Sequence, residues 1–501
     1  MVDNRIRVDL DSGGLSPDQA EDLRGLFEHT NPKRRSMEAM RIPGYWKEPA
    51  IERTWSDKRS QSGSWLTVPR GGMKRVLSVF QKHDLCPLVE DRRTSGVADL
   101  RGGIPVHKVE LRDYQRALVN SAVSAETCML RAPTGSGKTE VAFAYASEVN
   151  VPTLVLVNTR VLLDQWVERA SRTLGLSERQ VGVVQGNRRE LRPLTVAMQQ
   201  SLHHQGFDDE FAATWGAVVY DEVQLASASS FYAIVDRFPA RYRLGVSADN
   251  RRKDGKEYLN HDLFGEVAYE VKRDALIEQG HVMDIDVIVQ PTEFRADWYG
   301  IDEDPETGEE RELDFNRLSD EITDDEARTL LGVEHAAREA RDGALVFVMA
   351  RRRDHCQRIA AALVARGVPS GYLIGGPDYR KEFKATAQAM REGRVRVGVG
   401  TIQSIGTGID FPAINAAVVM TPLAGNRQLF NQVRGRVCRN SDGKVLSRLY
   451  YLWDSHCSYG LSHLKNLVAQ NRMVTVVTPG GGVVGRDYLT SLKKRRVASA
   501  W

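Results

Sequence analysis

The residues with the clearest chemistry are Ala132-Pro133-Thr134-Gly135-Ser136-Gly137-Lys138-Thr139. Glycines at this spacing let backbone N–H groups curl round an anion. A following helix N-terminus adds partial positive charge, and Lys138 can reach the β- and γ-phosphates of a nucleotide. Pro133, Thr134, Gly135, Ser136 and Gly137 form the cradle, and Thr139 is placed to ligate Mg2+. Lys138 is expected to stand exposed at the turn. The usual pattern, GxxxxGK[ST], opens here on Ala132 instead of glycine, so the flanks must separate a phosphate loop from a mere glycine-rich turn. They support the loop: Thr127 to Arg131 (TCMLR) reads as a short buried strand, and the alanine-rich Glu140 to Ser147 as a helix.

Two further groups belong to the same chemistry. Val218-Val219-Tyr220-Asp221-Glu222 is an apolar strand ending in two carboxylates. Asp221 suits the holding of Mg2+, directly or through water, and Glu222 suits the base that orients an attacking water. Farther on, Gln432 to Arg439 (QVRGRVCR) places Arg436 and Arg439 three residues apart, on one helical face. A hydrolase that builds charge on a γ-phosphate profits from such arginines.

These groups need sheets to hold them. From Leu111 the chain alternates apolar strands with helices, the sign of parallel-sheet units. Strand candidates recur at Thr153 to Asn158, Thr195 to Met198, Ala217 to Tyr220 and Arg243 to Ser247. A second series runs through Ala344 to Val348, Ser370 to Ile374, Val395 to Thr401, Ala416 to Thr421 and Arg448 to Trp453. Between the two series, Asp302 to Asp325 is acidic and reads as an exposed connecting loop. The chain ends in a basic tail with Lys493-Lys494-Arg495-Arg496.

Ahead of the first series, residues 1–105 read as a small α+β domain. Asn4 to Leu10 alternates as a strand. Ser16-Pro17-Asp18-Gln19 is a capping box with proline at the first helical position, opening a helix to about Glu28. Ser64 to Val68 reads as a strand, Pro69 to Gly72 as a turn and Met73 to Lys82 as a helix. Lys33, Arg34, Arg35, Lys58, Arg59, Arg70, Lys74 and Arg75 interleave with Tyr45, Trp46, Trp55 and Trp65, which suits a nucleic-acid surface. The alternative is a solvated face with the tryptophans in the core.

The 501 residues are too many for one core and suggest roughly three domains. A net charge of +3 confines any nucleic-acid surface to a local patch. Five cysteines without metal-ligand spacing favour reduced thiols. The opening MVDNRIRVDLD has no signal-peptide core, and no run approaches the ~18 apolar residues of a membrane span. A cytosolic protein of a bacterial or phage-infected cell, making no membrane contact, is expected.

The order of these motifs over Leu111 to Asp454 resembles the superfamily 2 helicases. Leu111-Arg112-Asp113-Tyr114-Gln115 is similar to their Q motif, which implies nucleotide contacts by Arg112 and Gln115, the latter to adenine. Thr159-Arg160 opens a stretch like motif Ia, and Gln199 and Ser201 lie in a stretch like motif Ic. Thr401 to Asp410 (TIQSIGTGID) is similar to motif V, and Gln432 to Arg439 to motif VI. The resemblance implies ATP contacts at Gly408 and Asp410, and DNA contacts at Thr159, Arg160, Gln199, Ser201, Arg351 and Thr401. Ser247 to Lys256 (SADNRRKDGK), with Leu263-Phe264-Gly265-Glu266 and the Gln165-Trp166 pair, is similar to UvsW-type and XPB-like branched-DNA helicases. The implied fold is α/β: two tandem RecA-like domains, at 106–295 and 336–480, closing on ATP and Mg2+. A small α+β domain precedes them, an acidic linker with a helix (296–335) joins them, and residues 481–501 form the tail. The implied activity is ATP-driven translocation or unwinding on forks, Holliday junctions and displacement loops, by a monomer gripping DNA phosphates. An RNA helicase, a DNA-binding scaffold with a vestigial ATPase and a restriction-complex motor are the alternatives. Gln224, Asp249 and Ala197 depart from the residues usual in motifs II, III and Ic.

Overall fold

The structure is a computed structural model. It describes residues 1–11, 15–39, 41–60, 63–100, 103–223, 228–248, 252, 254–296, 298, 314–376, 378–401, 404, 414–422, 437, 447–457, 471, 473–477 and 483–484. The chain divides into two compact units, one of Met1–Pro133 and Gly137–Lys272 and the other of Thr134–Ser136 and Arg273–Trp501.

The first unit opens with the expected α+β module. Strands β1 (Arg5–Asp9), β4 (Ser56–Ser60) and β5 (Gly63–Pro69) make an antiparallel sheet in the order β1-β5-β4, and β2 (Glu28–Thr30) pairs with β3 (Ile51–Arg53). Ser16 and Gln19 make the reciprocal capping box of helix α1 (Pro17–Gly25). The helix stops short of Glu28, which enters β2. Helix α2 spans Pro32–Ala39 and α3 Met73–Lys82, and α3 buries Val76, Val79 and Phe80 on Ile6, Leu23, Phe27, Leu66 and Val68. Trp55 and Trp65 are half-buried, whereas Trp46 is 63% exposed, so the tryptophans do not share one fate.

Next comes an eight-stranded sheet. Its strands are β6 (Thr127–Arg131), β7 (Thr153–Val157), β8 (Gly182–Gln185), β9 (Arg188–Glu190), β10 (Leu194–Met198), β11 (Ala217–Asp221), β12 (Tyr242–Ser247) and β13 (Val267–Glu270). They lie in the order β13-β6-β12-β11-β7-β10-β8-β9, parallel except for the β8–β9 hairpin. The central strands read as continuous apolar runs, TLVLV in β7 and AVVYD in β11, because helices cover both faces and every position is buried. Helices α4 (Asp113–Ala125), α5 (Lys138–Val149) and α6 (Arg160–Leu174) supply part of that cover, and α6 ends at Gly175 with φ 74°.

The second unit holds another eight-stranded sheet, ordered β16-β17-β15-β18-β19-β14-β20-β21 and parallel except for its last pair. Its strands are β14 (Asp286–Thr292), β15 (Leu345–Ala350), β16 (Ser370–Tyr372), β17 (Val397–Thr401), β18 (Ile414–Val419), β19 (Arg448–Asp454), β20 (Met473–Val477) and β21 (Val483–Val484).

Two expectations are corrected here. The first sheet does not extend to 295: β14 pairs with β19 and β20, so the chain has already entered the second unit at Arg273. The stretch to Asp325 is also not all exposed loop. Phe315–Asp324 is a helix that buries Leu318 and Ile322 against Phe294, Ala296 and Cys457. Among the described residues no helix is long and apolar enough to cross a membrane.

Candidate nucleotide-hydrolysis site

The phosphate loop leaves β6 at its C-terminal end and enters α5 at Lys138. Gly135 and Gly137 have φ of 89° and 81°, left-handed values that a side chain rarely adopts. A Cβ at Gly137 would stand 2.4 Å from the Gln115 amide nitrogen, so the glycine also lets Gln115 lie against the loop. Gln115 is buried, and its Oε1 accepts the backbone N–H of Arg112 at 3.0 Å, capping α4. The Arg112 guanidinium lies 3.4 Å from the Tyr114 hydroxyl.

Lys138 is buried rather than exposed, because the first turn of α5 turns it towards the end of β11. Its Nζ lies 3.7 Å from Glu222 Oε1. Glu222 adopts φ 57°, left-handed backbone that costs a non-glycine residue about 1–3 kcal/mol and gathers where function demands it. Asp221 is buried, and Oδ2 accepts the indole N–H of Trp166 at 2.9 Å. Burial and the neighbouring Glu222 charge push the Asp221 carboxyl up to about 6. Two adjacent carboxylates with one lysine, beside a glycine cradle and the Thr139 hydroxyl, form an oxygen donor set that suits a hard divalent cation and a polyphosphate. That donor set is the reason the residues fit Mg2+.

The residues expected to touch DNA are placed unevenly. Thr159 caps α6, its hydroxyl accepting from Leu162 N at 3.3 Å. Arg160 is exposed, and its guanidinium lies 3.9 Å from Asp164. Gln199 is buried at the head of the helix Gln199–Gln205 and hydrogen-bonded to the Tyr220 hydroxyl, so its exposed neighbour Gln200 faces solvent in its place. Gln200 donates to Asn158 O at 2.8 Å. Ser201 accepts Gly186 N at 2.9 Å. Ala197 is fully buried in β10, where a hydroxyl would reach core rather than surface.

In the second unit, Arg351 follows β15, lies 4.5 Å over the Phe315 ring and donates to Asn316 at 3.0 Å. Thr401 ends β17 with its hydroxyl 2.7 Å from that of Ser404. Gly408, Asp410, Arg436, Arg439, Gln224, Asp249 and the Lys493 to Arg496 run lie outside the described residues, while Val483–Val484, expected in the tail, pairs with β20 as β21.

Two residues carry no sequence signal of the part they play. Trp166 stands out in the chain only as half of a Gln-Trp pair, and its place beside Asp221 follows from α6 packing against β7, β10 and α5. Asp262 belongs to no motif at all. It is fully buried, and accepts Arg75 at 2.6 Å, Thr54 at 2.6 Å and His29 at 3.1 Å from the N-terminal module. Arg70 and Arg75, expected on a DNA face, are instead used in packing inside the first unit, Arg75 on Asp262. Arg70 is buried and donates to Ala240 O at 2.6 Å, since the chain at Gly71 packs backbone to backbone on Gly265.

A family model described as Type III restriction enzyme, res subunit, matches residues 108–251. A putative DNA 3'-5' helicase Rad25 of Halobacterium salinarum is 29% identical over 398 residues, covering 78% of this chain and 62% of the relative. A DNA 3'-5' helicase XPB of Kineococcus radiotolerans is 28% identical over 354 residues, covering 68% of this chain and 59% of the relative. The chain thus spans about three fifths of the length of these relatives. Among solved structures, a fragment of a putative HsdR subunit of a type I restriction enzyme from Vibrio vulnificus shares the fold. It has a TM-score of 0.53 at 16% identity, over 82% of this chain and 75% of that one. By motif order and by these likenesses, the chain resembles the XPB and Rad25 helicases.

Proposed function

We propose that the chain is an ATP-dependent DNA translocase or helicase that works on branched DNA. The observation that carries the reading is the meeting of Lys138 and Glu222 at the ends of β6 and β11, with Asp221 beside them. Lys138 and the loop amides would hold the phosphates, and Thr139 and Asp221 would hold Mg2+, which would supply charge to neutralise the phosphates. Glu222 takes the proton of the attacking water, and its 3.7 Å approach to Lys138 keeps it aimed into the loop.

On the same sheet, Thr159, Arg160 and Gln200 stand at strand ends, where a DNA backbone would lie. Phosphate contacts of that kind are sequence-independent and weaken with salt. The names of the relatives favour DNA over RNA. The XPB-like and UvsW-like residues after Ser247 favour junctions.

The test is ATP turnover with single-stranded DNA, duplex, fork, Holliday junction and RNA in parallel, with Lys138→Ala as control. DNA should stimulate, branched forms most, and the control should lose at least about 100-fold. Stimulation by RNA alone would overturn the DNA reading, and equal stimulation by duplex and junction would overturn the branched preference.

A further inference from the structure

Two consecutive residues of β11 are hydrogen-bonded to one short segment of the proposed DNA face. The Tyr220 hydroxyl is hydrogen-bonded to Asn158 Oδ1 at 2.8 Å and also to Gln199 Oε1, sharing its one proton between them, and Asp221 Oδ2 accepts from Trp166 Nε1 at 2.9 Å. Asn158 and Trp166 bracket Thr159 and Arg160, the residues at the start of α6. Gln200 grips the same segment through Asn158 O at 2.8 Å.

The Trp166 ring is itself held. It is buried, and its centroid lies 4.7 Å from that of Phe143 on α5, the helix that begins with Lys138. A rigid indole donor on a carboxylate fixes which oxygen it occupies and how the carboxylate is turned. A charge-assisted bond of this kind is about twice as strong as a neutral one.

We propose that Trp166 is the positioning residue of the Asp221 carboxylate. Through it, and through Tyr220–Asn158, DNA held at Thr159 and Arg160 tightens the cation site. The inference rests on the proposed function and deepens it, by naming how the DNA face acts on the nucleotide site. Coupling of this kind is reciprocal: whatever DNA adds to cation binding, the cation–nucleotide complex adds to DNA binding.

The experiment uses the full chain, ADP and Mn2+ as the probe. Bound Mn2+ is read by electron paramagnetic resonance, with and without a single-stranded oligonucleotide. Two changes are made at position 166. Trp166→Phe removes the donor and part of the ring, and β-(3-benzothienyl)alanine replaces the N–H by sulfur and keeps the shape. In the unaltered chain the oligonucleotide should tighten Mn2+·ADP binding. Both changes should cut that gain about ten-fold or more, the effect of losing one charge-assisted bond. ATP turnover should fall in kcat with little change in KM. Tyr220→Phe should weaken the gain as well.

A sulfur isostere that behaves as the unaltered chain while Trp166→Phe does not would assign the effect to packing and overturn the proposal. Absence of any oligonucleotide effect in the unaltered chain would also overturn it, while leaving nucleotide hydrolysis standing. If the unaltered chain neither binds Mn2+·ADP nor hydrolyses ATP, the proposed function itself fails and this inference falls with it.

Discussion

Arg75, on α3 of the N-terminal module, closes to 2.6 Å on the carboxylate of Asp262, on the helix Tyr258–Phe264 beneath it. Burial pushes the Asp262 carboxyl up, but the bonds from His29, Arg75 and Thr54 outweigh it and hold the group below its ordinary value of 3.8. Around it, Arg5 pairs with Asp236 at 3.3 Å, Arg243 donates to Asn4 O at 3.4 Å, and Lys256 and Tyr258 both reach Glu52. The module is part of the first sheet's scaffold.

Asp262→Ala should therefore destabilise the first unit by about 3–5 kcal/mol, because it leaves Arg75 without its buried partner. Urea unfolding followed at neutral pH measures this. The sign with pH follows from a depressed carboxylate. Its contribution is fully present above 3.8 and is lost as the pH falls through the lower folded-state value. The unaltered chain should lose stability steeply in that acid window, and Asp262→Asn should show a shallower acid slope. Equal slopes would deny Asp262 this role.

Glu222→Gln separates binding from chemistry. The amide keeps the size of the side chain, and Asp221, Thr139 and Lys138 remain to hold cation and phosphates. Turnover should fall by about 10²- to 10⁴-fold, while ATP affinity, measured with a fluorescent analogue, stays within a few-fold. A variant whose affinity falls as severely as its turnover would remove the base assignment from Glu222.

Much of this arrangement is readable in the chain, and the exceptions have a common cause. Helix Met73–Lys82 and strand Thr127–Arg131 carry their own periodicity and flanks, so they appear where the sequence places them. The sheet that β14 joins is decided by partners more than 150 residues away, Arg448 to Asp454, and no local pattern reports that. Arg70 looks like any surface arginine until Gly71 is seen pressed on Gly265, which carries the guanidinium inside. Lys138 and Asp221 are legible through spacing. Trp166 and Asp262 are not, because what they do depends on which helix folds over which strand.

In the second unit, Arg328 and Asp454 are both buried and joined twice, at 2.7 and 3.1 Å, with Thr292 adding a hydroxyl to the same carboxylate. The pair ties the helix Glu326–Arg341 to β19 and β14. Arg328→Leu strands the Asp454 charge and should cost about 3–5 kcal/mol, whereas adding Asp454→Leu should recover much of it. A double-mutant cycle in urea checks this. Additive losses would mean that the two side chains do not support each other.

We propose that exposed residues of the N-terminal module contact nucleic acid. Lys33 is paired with Glu48, and Arg34 lies 5.8 Å over the Tyr45 ring and donates to Glu48 O at 3.0 Å. Arg35, Lys58 and Arg59 are exposed. Trp46 is 63% exposed and touches the Tyr45 ring edge-on. An exposed tryptophan among cations can stack a base at a junction, worth about 1–3 kcal/mol. Trp46→Ala, and separately Arg35→Glu with Arg59→Glu, should weaken binding of a labelled fork in fluorescence anisotropy. The charge reversal should flatten the dependence of log K on log salt by about two, one for each phosphate no longer neutralised. Neither should alter urea stability, since these side chains carry no core. Fork affinity and salt slope that match the unaltered chain would leave the module a purely structural part, holding the helix Tyr258–Phe264 through Asp262.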